Sequence, residues 1–372
     1  MTLDGWPFLG TLIALAALTT AGTVWFWPRL ARQAPRPVAM RLGLLVTTQI
    51  MVMTAALAGA NLYFGFFTSW TDLFGTDTTR GTVVQGSSNS VLAPAAATFT
   101  QKAADLSAGK DPTQDGKIEF VDMKGVRSGL DSPAYVYLPP AYYQKGNETR
   151  RFPVVVVLTG YPGDAKNLIT RLGVVSTAQQ EMKAGRLQPT VFVLMRSSPD
   201  YPRDTECTDV PGGPQAATYF TQDMPEVIKT HYRVSANRSG WGMMGDSTGG
   251  YCSLKLVMRN SDRFSAAAAL SGYYTTMQDF TTGDLYGGSK LVRAENDLFW
   301  RLKSLPQPPI SVMVTSSRKG ERGYVSTEQF LAAVHAPMHA DSIILDQGGH
   351  NFNTWKRVLG PAMEWMSGKL TA

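Results

Sequence analysis

The sequence predicts an α/β domain with a mostly parallel sheet of about eight strands, preceded by a two-helix transmembrane hairpin. Three observations predict it. The first seventy or so residues hold two apolar runs and almost no charge, while the rest reads like a soluble protein. After residue 117, short apolar runs alternate with amphipathic stretches. Uninterrupted runs such as Val154-Val155-Val156-Val157-Leu158 suit strands buried on both faces, as in a parallel sheet covered by helices. The 372 residues, 44% hydrophobic and 17% charged, suffice for one such domain and a smaller part.

Residues 1–75 form the hairpin. From Gly5 to Pro28 there is no charged residue, and a helix of about 21 residues at about 1.5 Å per residue crosses a hydrocarbon layer of about 30 Å. A second uncharged stretch runs from Leu42 to Thr71 and ends in Tyr63, Phe64, Phe66, Phe67 and Trp70, suited to a membrane interface. The helices are expected at about 6–28 and 42–68. A cleaved signal peptide fits less well, because the positive charges follow the first apolar run instead of preceding it. Those charges, Arg29, Arg32, Arg36 and Arg41, crowd a short loop, which places the Arg29–Arg41 segment in the cytoplasm and everything after the second helix outside it. Thr47, Thr48, Gln49 and Asn61 can bond the first helix. Residues 76–116, rich in Thr, Ser, Ala, Gly and Asp without periodicity, are expected to be a flexible linker, and residues 117–372 the folded domain.

The net charge is +6, of which the four arginines against Asp4 and Asp72 put +2 in the hairpin and leave +4 spread downstream. With no basic run interleaved with aromatics, nucleic-acid binding is excluded. Two cysteines, Cys207 and Cys252, without histidines at ligand spacing, do not build a metal site. They form either a disulfide or two buried thiols.

Within the domain, strands are read at Ile118–Val121, Ala134–Leu138, Val154–Leu158, Val191–Met195, Trp241–Met244, Ala266–Leu270, Ile310–Thr315 and Ser342–Leu345. Helices are read at Ala216–Tyr232, Thr248–Arg259, Thr327–Val334 and Phe352–Met366. Gly245-Asp246-Ser247-Thr248-Gly249 lies between an apolar strand and a helical run. That is the setting of a sharp turn whose small residues let a serine stand clear of the sheet, so Ser247 is the candidate nucleophile. A serine hydroxyl needs a base and an orienting acid. Of the four histidines, His231 ends a helix and His335 and His339 flank Pro337, whereas His350 sits in a loop after a late strand, behind Gly348-Gly349. His350 is the base expected there. The acid should lie between Ser247 and His350 in a loop after a strand, which favours Glu321 over Glu328, Asp341 and Asp346. A developing oxyanion would be held by the backbone amides of Tyr161, after Val154–Leu158, and of Thr248.

Leu158-Thr159-Gly160-Tyr161, Gly245-Asp246-Ser247-Thr248-Gly249-Gly250 and Gly349-His350-Asn351-Phe352 with Trp355 resemble three landmark segments of the esterase D group of α/β-hydrolases, which includes the mycobacterial mycolyltransferases. The resemblance covers roughly residues 118–367, and a hairpin before such a domain is similar to actinobacterial membrane esterases. It implies an α/β-hydrolase fold and acyl transfer through a serine acyl-enzyme to water or a sugar hydroxyl, with no cofactor. Thr159 stands where the mycolyltransferases carry an acidic residue near their sugar site, so the resemblance does not extend to trehalose as acceptor. The expected function is an extracytoplasmic serine esterase or acyltransferase acting on an acyl ester, such as a lipid or glycolipid of the cell envelope. The rivals are a non-catalytic envelope-binding protein of the same fold and a serine peptidase.

Overall fold

A computed structural model of the chain describes residue 3 and residues 5–64, 66–67, 70–74, 98–102 and 106–372. It divides into two compact units. One comprises Met1–Thr78, Ser317–Arg322 and Asp346–Thr354, the other Thr79–Ser316, Gly323–Leu345 and Trp355–Ala372.

In the first unit, helices Trp6–Phe26 and Pro35–Phe64 are both long and apolar enough to cross a membrane. The first stops short of the expected residue 28 because Pro28, which cannot donate, opens a separate 3-10 turn, Pro28–Leu30. The second begins at Pro35 instead of 42, since proline is well suited to a first helical turn and the long stems of Arg36 and Arg41 can follow a helix beyond its apolar part. The helices are joined by polar contacts: Thr23 and Thr48 share a hydroxyl–hydroxyl bond of 2.9 Å, and the Thr48 hydroxyl also donates to the Thr19 carbonyl at 3.3 Å. Thr48 therefore does what the sequence suggested. Asn61 instead ties down the segments that enter and leave the hairpin, donating to the carbonyls of Leu3 at 3.1 Å and Phe67 at 2.8 Å and accepting from the Phe67 amide at 2.8 Å.

The second unit is built on a nine-stranded sheet. Its strands are β1 (Thr98–Lys102), β2 (Lys117–Lys124), β3 (Asp131–Leu138), β4 (Val154–Thr159), β5 (Val191–Arg196), β6 (Trp241–Asp246), β7 (Ala266–Leu270), β8 (Ser311–Lys319) and β9 (His339–Gln347), in spatial order β1-β2-β3-β5-β4-β6-β7-β8-β9. The run β5-β4-β6-β7-β8 is parallel, and β1, β2 and β3 add an antiparallel margin. All six residues of β4 and of β6 are buried, which is why their sequence is continuously apolar or small instead of alternating.

One expectation is corrected here. Much of the stretch read as a linker, residues 76–97 and 103–105, lies outside the described residues, but Thr98–Lys102 is an edge strand in register with Phe120–Lys124, and Pro112–Asp115 is a helical turn capped by Asp111. Ordered structure thus precedes Lys117. The segment Thr-Phe-Thr-Gln-Lys has one large apolar side chain, and its pairing is supplied by β2 and by Phe99 stacking on His231 at 4.0 Å between ring centres.

Cys207 and Cys252 are joined as a disulfide, with Cα atoms 5.7 Å apart and a sequence separation of 45. Of the two readings left open, the bond is the one realised. Closing a loop of that length lowers the entropy of the unfolded chain enough to stabilise the fold by about 4 kcal/mol. Reduction, or Cys252→Ser, should shift the denaturant midpoint down accordingly, read by tryptophan fluorescence with and without dithiothreitol. An unchanged midpoint would contradict the bond.

Candidate active site

Ser247, at the end of β6, is one of four non-glycine residues at positive φ among the described residues, with Glu206, Cys207 and Ser271. Ser247 has φ 52° and ψ −120° and is followed at once by the helix Thr248–Arg259. A non-glycine residue at positive φ is strained by about 1–3 kcal/mol, so the surroundings must enforce it. They do so by crowding. A methyl group on Gly249 would lie 2.0 Å from the Leu158 carbonyl oxygen, and one on Gly245 would lie 2.4 Å from the Gly249 carbonyl carbon. The Ser247 amide is anchored to the Leu270 carbonyl on β7 at 3.0 Å, while its own carbonyl accepts from Gly250 at 2.9 Å and Tyr251 at 3.1 Å. The turn is therefore welded between β4, β7 and the helix it starts, and the Ser247 side chain stands only half-buried.

The loop after β4 runs beside this turn. A methyl group on Gly160 would come within 2.9 Å of Ser247 Cβ. The Gly160 amide donates to Asp246 Oδ2 at 3.0 Å, and the Tyr161 hydroxyl donates to the Pro202 carbonyl at 2.5 Å. Among the described residues the amides of Tyr161 and Thr248 have no acceptor within the protein. Both candidate oxyanion donors are thus in the sheet unit, Thr248 immediately after the serine and Tyr161 one residue beyond Gly160, which touches it.

Asp246 was not singled out by sequence reasoning, since it occupies a position where the motif admits any residue. It is 1% exposed, and burial pushes its carboxyl up to about 7 against the opposing Gly160 amide. It fastens the β4 loop to the serine turn.

A second group was also missed. Lys255, fully buried on the serine helix, donates to the Glu206 carbonyl and to Thr208 Oγ1, and Tyr273 donates to the Glu206 carboxylate. Burial raises the Glu206 carboxyl and lowers the Lys255 ammonium from their ordinary values. The Thr248 side chain also acts on the Tyr273 hydroxyl, so this buried network reaches a candidate oxyanion residue. Its one signal in the sequence is the polar cluster Asp204-Thr205-Glu206 against a cysteine.

Glu321 and His350 belong to the other unit, on two loops bound to each other. Glu321 follows β8 and accepts from the Ser317 amide through Oε2 at 3.1 Å. The Gly348 amide donates to the Lys319 carbonyl at 3.0 Å, and a methyl group on Gly348 would lie 2.7 Å from Ser317 Oγ. The structure therefore brings the loops of Glu321 and His350 together. Burial pushes the His350 imidazole down to about 4, keeping it neutral at ordinary pH. Of the other histidines, His231 and His335 are exposed and turned back on local carbonyls, Val227 at 2.9 Å and Ala336 at 3.0 Å. His339 is the first residue of β9 and not part of a connection, because its amide is captured by the Ile310 carbonyl at 3.0 Å.

Comparison with known proteins adds independent findings. Residues 127–366 match the model of the Esterase family. A Corynebacterium glutamicum protein described as uncharacterized is 24% identical over 265 residues, which are 64% of this chain and 58% of that protein, so the chain spans little more than half of that relative's length. An S-formylglutathione hydrolase from Agrobacterium tumefaciens superposes with a TM-score of 0.57 at 16% identity, over 73% of this chain and 99% of the other. A ferulic acid esterase gives 0.57 at 17% identity over 68% and 98%, and a fluorophosphonate-binding serine hydrolase of Staphylococcus aureus gives 0.53 at 13% over 74% and 99%. At these identities the likeness is one of fold, the α/β-hydrolase fold.

Proposed function

Because the chain belongs to the Esterase family, whose model spans residues 127–366, we propose that it is a membrane-anchored, extracytoplasmic serine esterase or acyltransferase working through an acyl-enzyme on Ser247. The observation that carries this reading is the strained turn at Ser247, held by glycines that tolerate no added methyl group and flanked by two unpaired amides. Strain of that kind is maintained where a side chain must be presented.

In the proposed cycle, the Ser247 oxygen attacks the ester carbonyl while its proton passes to the His350 imidazole. Glu321 holds the imidazolium that forms, and the amides of Tyr161 and Thr248 receive the oxyanion. Collapse of this intermediate breaks the ester bond, and the alcohol leaves with the proton from His350. Water, or a hydroxyl compound in the transferase version, then attacks the acyl-enzyme by the same steps in reverse and restores Ser247. Two features support the location. The arginine loop favours the cytoplasmic side for the hairpin's turn, and the disulfide suits an oxidising compartment.

The test is the pH dependence of kcat/KM for nitrophenyl butyrate. The base must be neutral, so activity is lost as pH falls through its pKa. With that pKa depressed by burial toward about 4, the acid limb should fall between about 4 and the ordinary histidine value of about 6.5. Asp246, raised to about 7, is separated by Asp246→Asn, in which the same limb should persist. A limb above about 7 that survives Asp246→Asn contradicts His350 as the base, and the absence of any hydrolysis returns the protein to the non-catalytic reading.

A further inference from the structure

The loops that carry Glu321 and His350 are bonded, through the residues that follow them, to the C-terminal end of the second apolar helix. Arg322 donates to the Leu62 carbonyl at 2.6 Å, and Asn351 donates through Nδ2 to the Phe66 carbonyl. Phe66 is also part of the wall of a cavity of about 460 Å³ between the two helices, at the ends remote from the Arg29–Arg41 loop. The wall includes Phe8, Leu12, Leu57, Ala58 and Trp70. Asn61 and Thr54, also on the wall, are already bonded, Asn61 to Leu3 and Phe67 and Thr54 to the Ile50 carbonyl at 2.7 Å. The wall is thus almost wholly apolar and suits an alkyl chain. Bulk lipid would fit such a groove anywhere along the hairpin. This one is built into the same compact unit as the base-bearing loop and shares a residue with its anchorage.

We propose that the hairpin is part of the substrate site as well as an anchor, and that this cavity binds the long acyl chain of a membrane lipid ester. The inference rests on the esterase and membrane readings above and names their substrate class. It accounts for the bonds by which the residues following the acid and the base are fastened to carbonyls of the hairpin's exit.

The experiment uses full-length protein in nanodiscs, with nitrophenyl palmitate and nitrophenyl butyrate as probes. Each buried methylene contributes about fourfold in affinity, so filling the cavity enough to exclude two or three methylenes should lower the palmitate-to-butyrate ratio of kcat/KM by about tenfold or more in Ala58→Trp. Ala58→Leu, a milder change less prone to misfolding, should give a smaller drop in the same ratio. A ratio within twofold of wild type in both variants, with fluorophosphonate labelling intact, overturns the acyl subsite and leaves the esterase reading standing. Wild-type protein that cleaves neither ester removes both.

Discussion

Ser247→Ala is expected to lower kcat for nitrophenyl butyrate by about a hundred-thousand-fold while leaving the fold intact. The expectation follows from the chemistry of the turn. In the proposed cycle the hydroxyl forms the covalent bond, and its neighbours are poorly placed to replace it, because Gly245 and Gly249 have no side chain, Asp246 is buried and bonded to Gly160, and Thr248 is buried. The residual rate would come from the oxyanion amides alone. Circular dichroism and the thermal midpoint should match wild type, since the alanine methyl occupies less space than the hydroxymethyl group it replaces. A variant that retains even a tenth of the activity would move the nucleophile elsewhere.

Gly249→Ala is expected to be the most destabilising single methyl addition in the sheet unit, by about 3–5 kcal/mol or to the point of failing to fold. The new carbon would sit 2.0 Å from the Leu158 carbonyl oxygen and 2.6 Å from its carbon. Both belong to the backbone of β4, which is held in parallel register by β5 and β6 on either side. No rotamer change can relieve a clash between backbone atoms; either the serine helix lifts from the sheet or the strand breaks. Gly368→Ala, within the last helix and with nothing inside 4 Å of the added carbon, should stabilise by up to about 1 kcal/mol through helix propensity alone. Denaturant titration of the pair distinguishes steric crowding from a general intolerance of substitution, and equal small effects would contradict the welded turn.

How much of this was legible in the sequence depended on how local each signal was. The serine turn was readable because strand, turn and helix are consecutive: the helix Thr248–Arg259 and the strand Ala266–Leu270 have the bounds their apolar runs suggested. The edge strand Thr98–Lys102 was not, because what makes it a strand is a partner in β2 and not its own side chains. Two short helices, Lys290–Asn296 and Leu298–Ser304, had readable start signals that went unused. Ser289 caps one by accepting from the Val292 amide and Asp297 the other by accepting from the Trp300 amide. The Glu206–Tyr273–Lys255 network left only the polar cluster at Glu206 as a signal. Its members come from three segments, and its character depends on burial that no one segment reveals. The disulfide was half-legible: the cysteines were visible, their 5.7 Å separation was not. Likewise, the sequence shows Asn351 beside a histidine and Phe66 in an aromatic cluster, and only the fold reveals that one bonds the other.

The most direct measurement is the mass of the tryptic peptide carrying residue 247 after full-length protein is treated with a fluorophosphonate. The account predicts a single phosphonylated peptide with the adduct on Ser247, formed quickly in wild type and absent from Ser247→Ala. An adduct on another residue, or one that persists in the alanine variant, would contradict it.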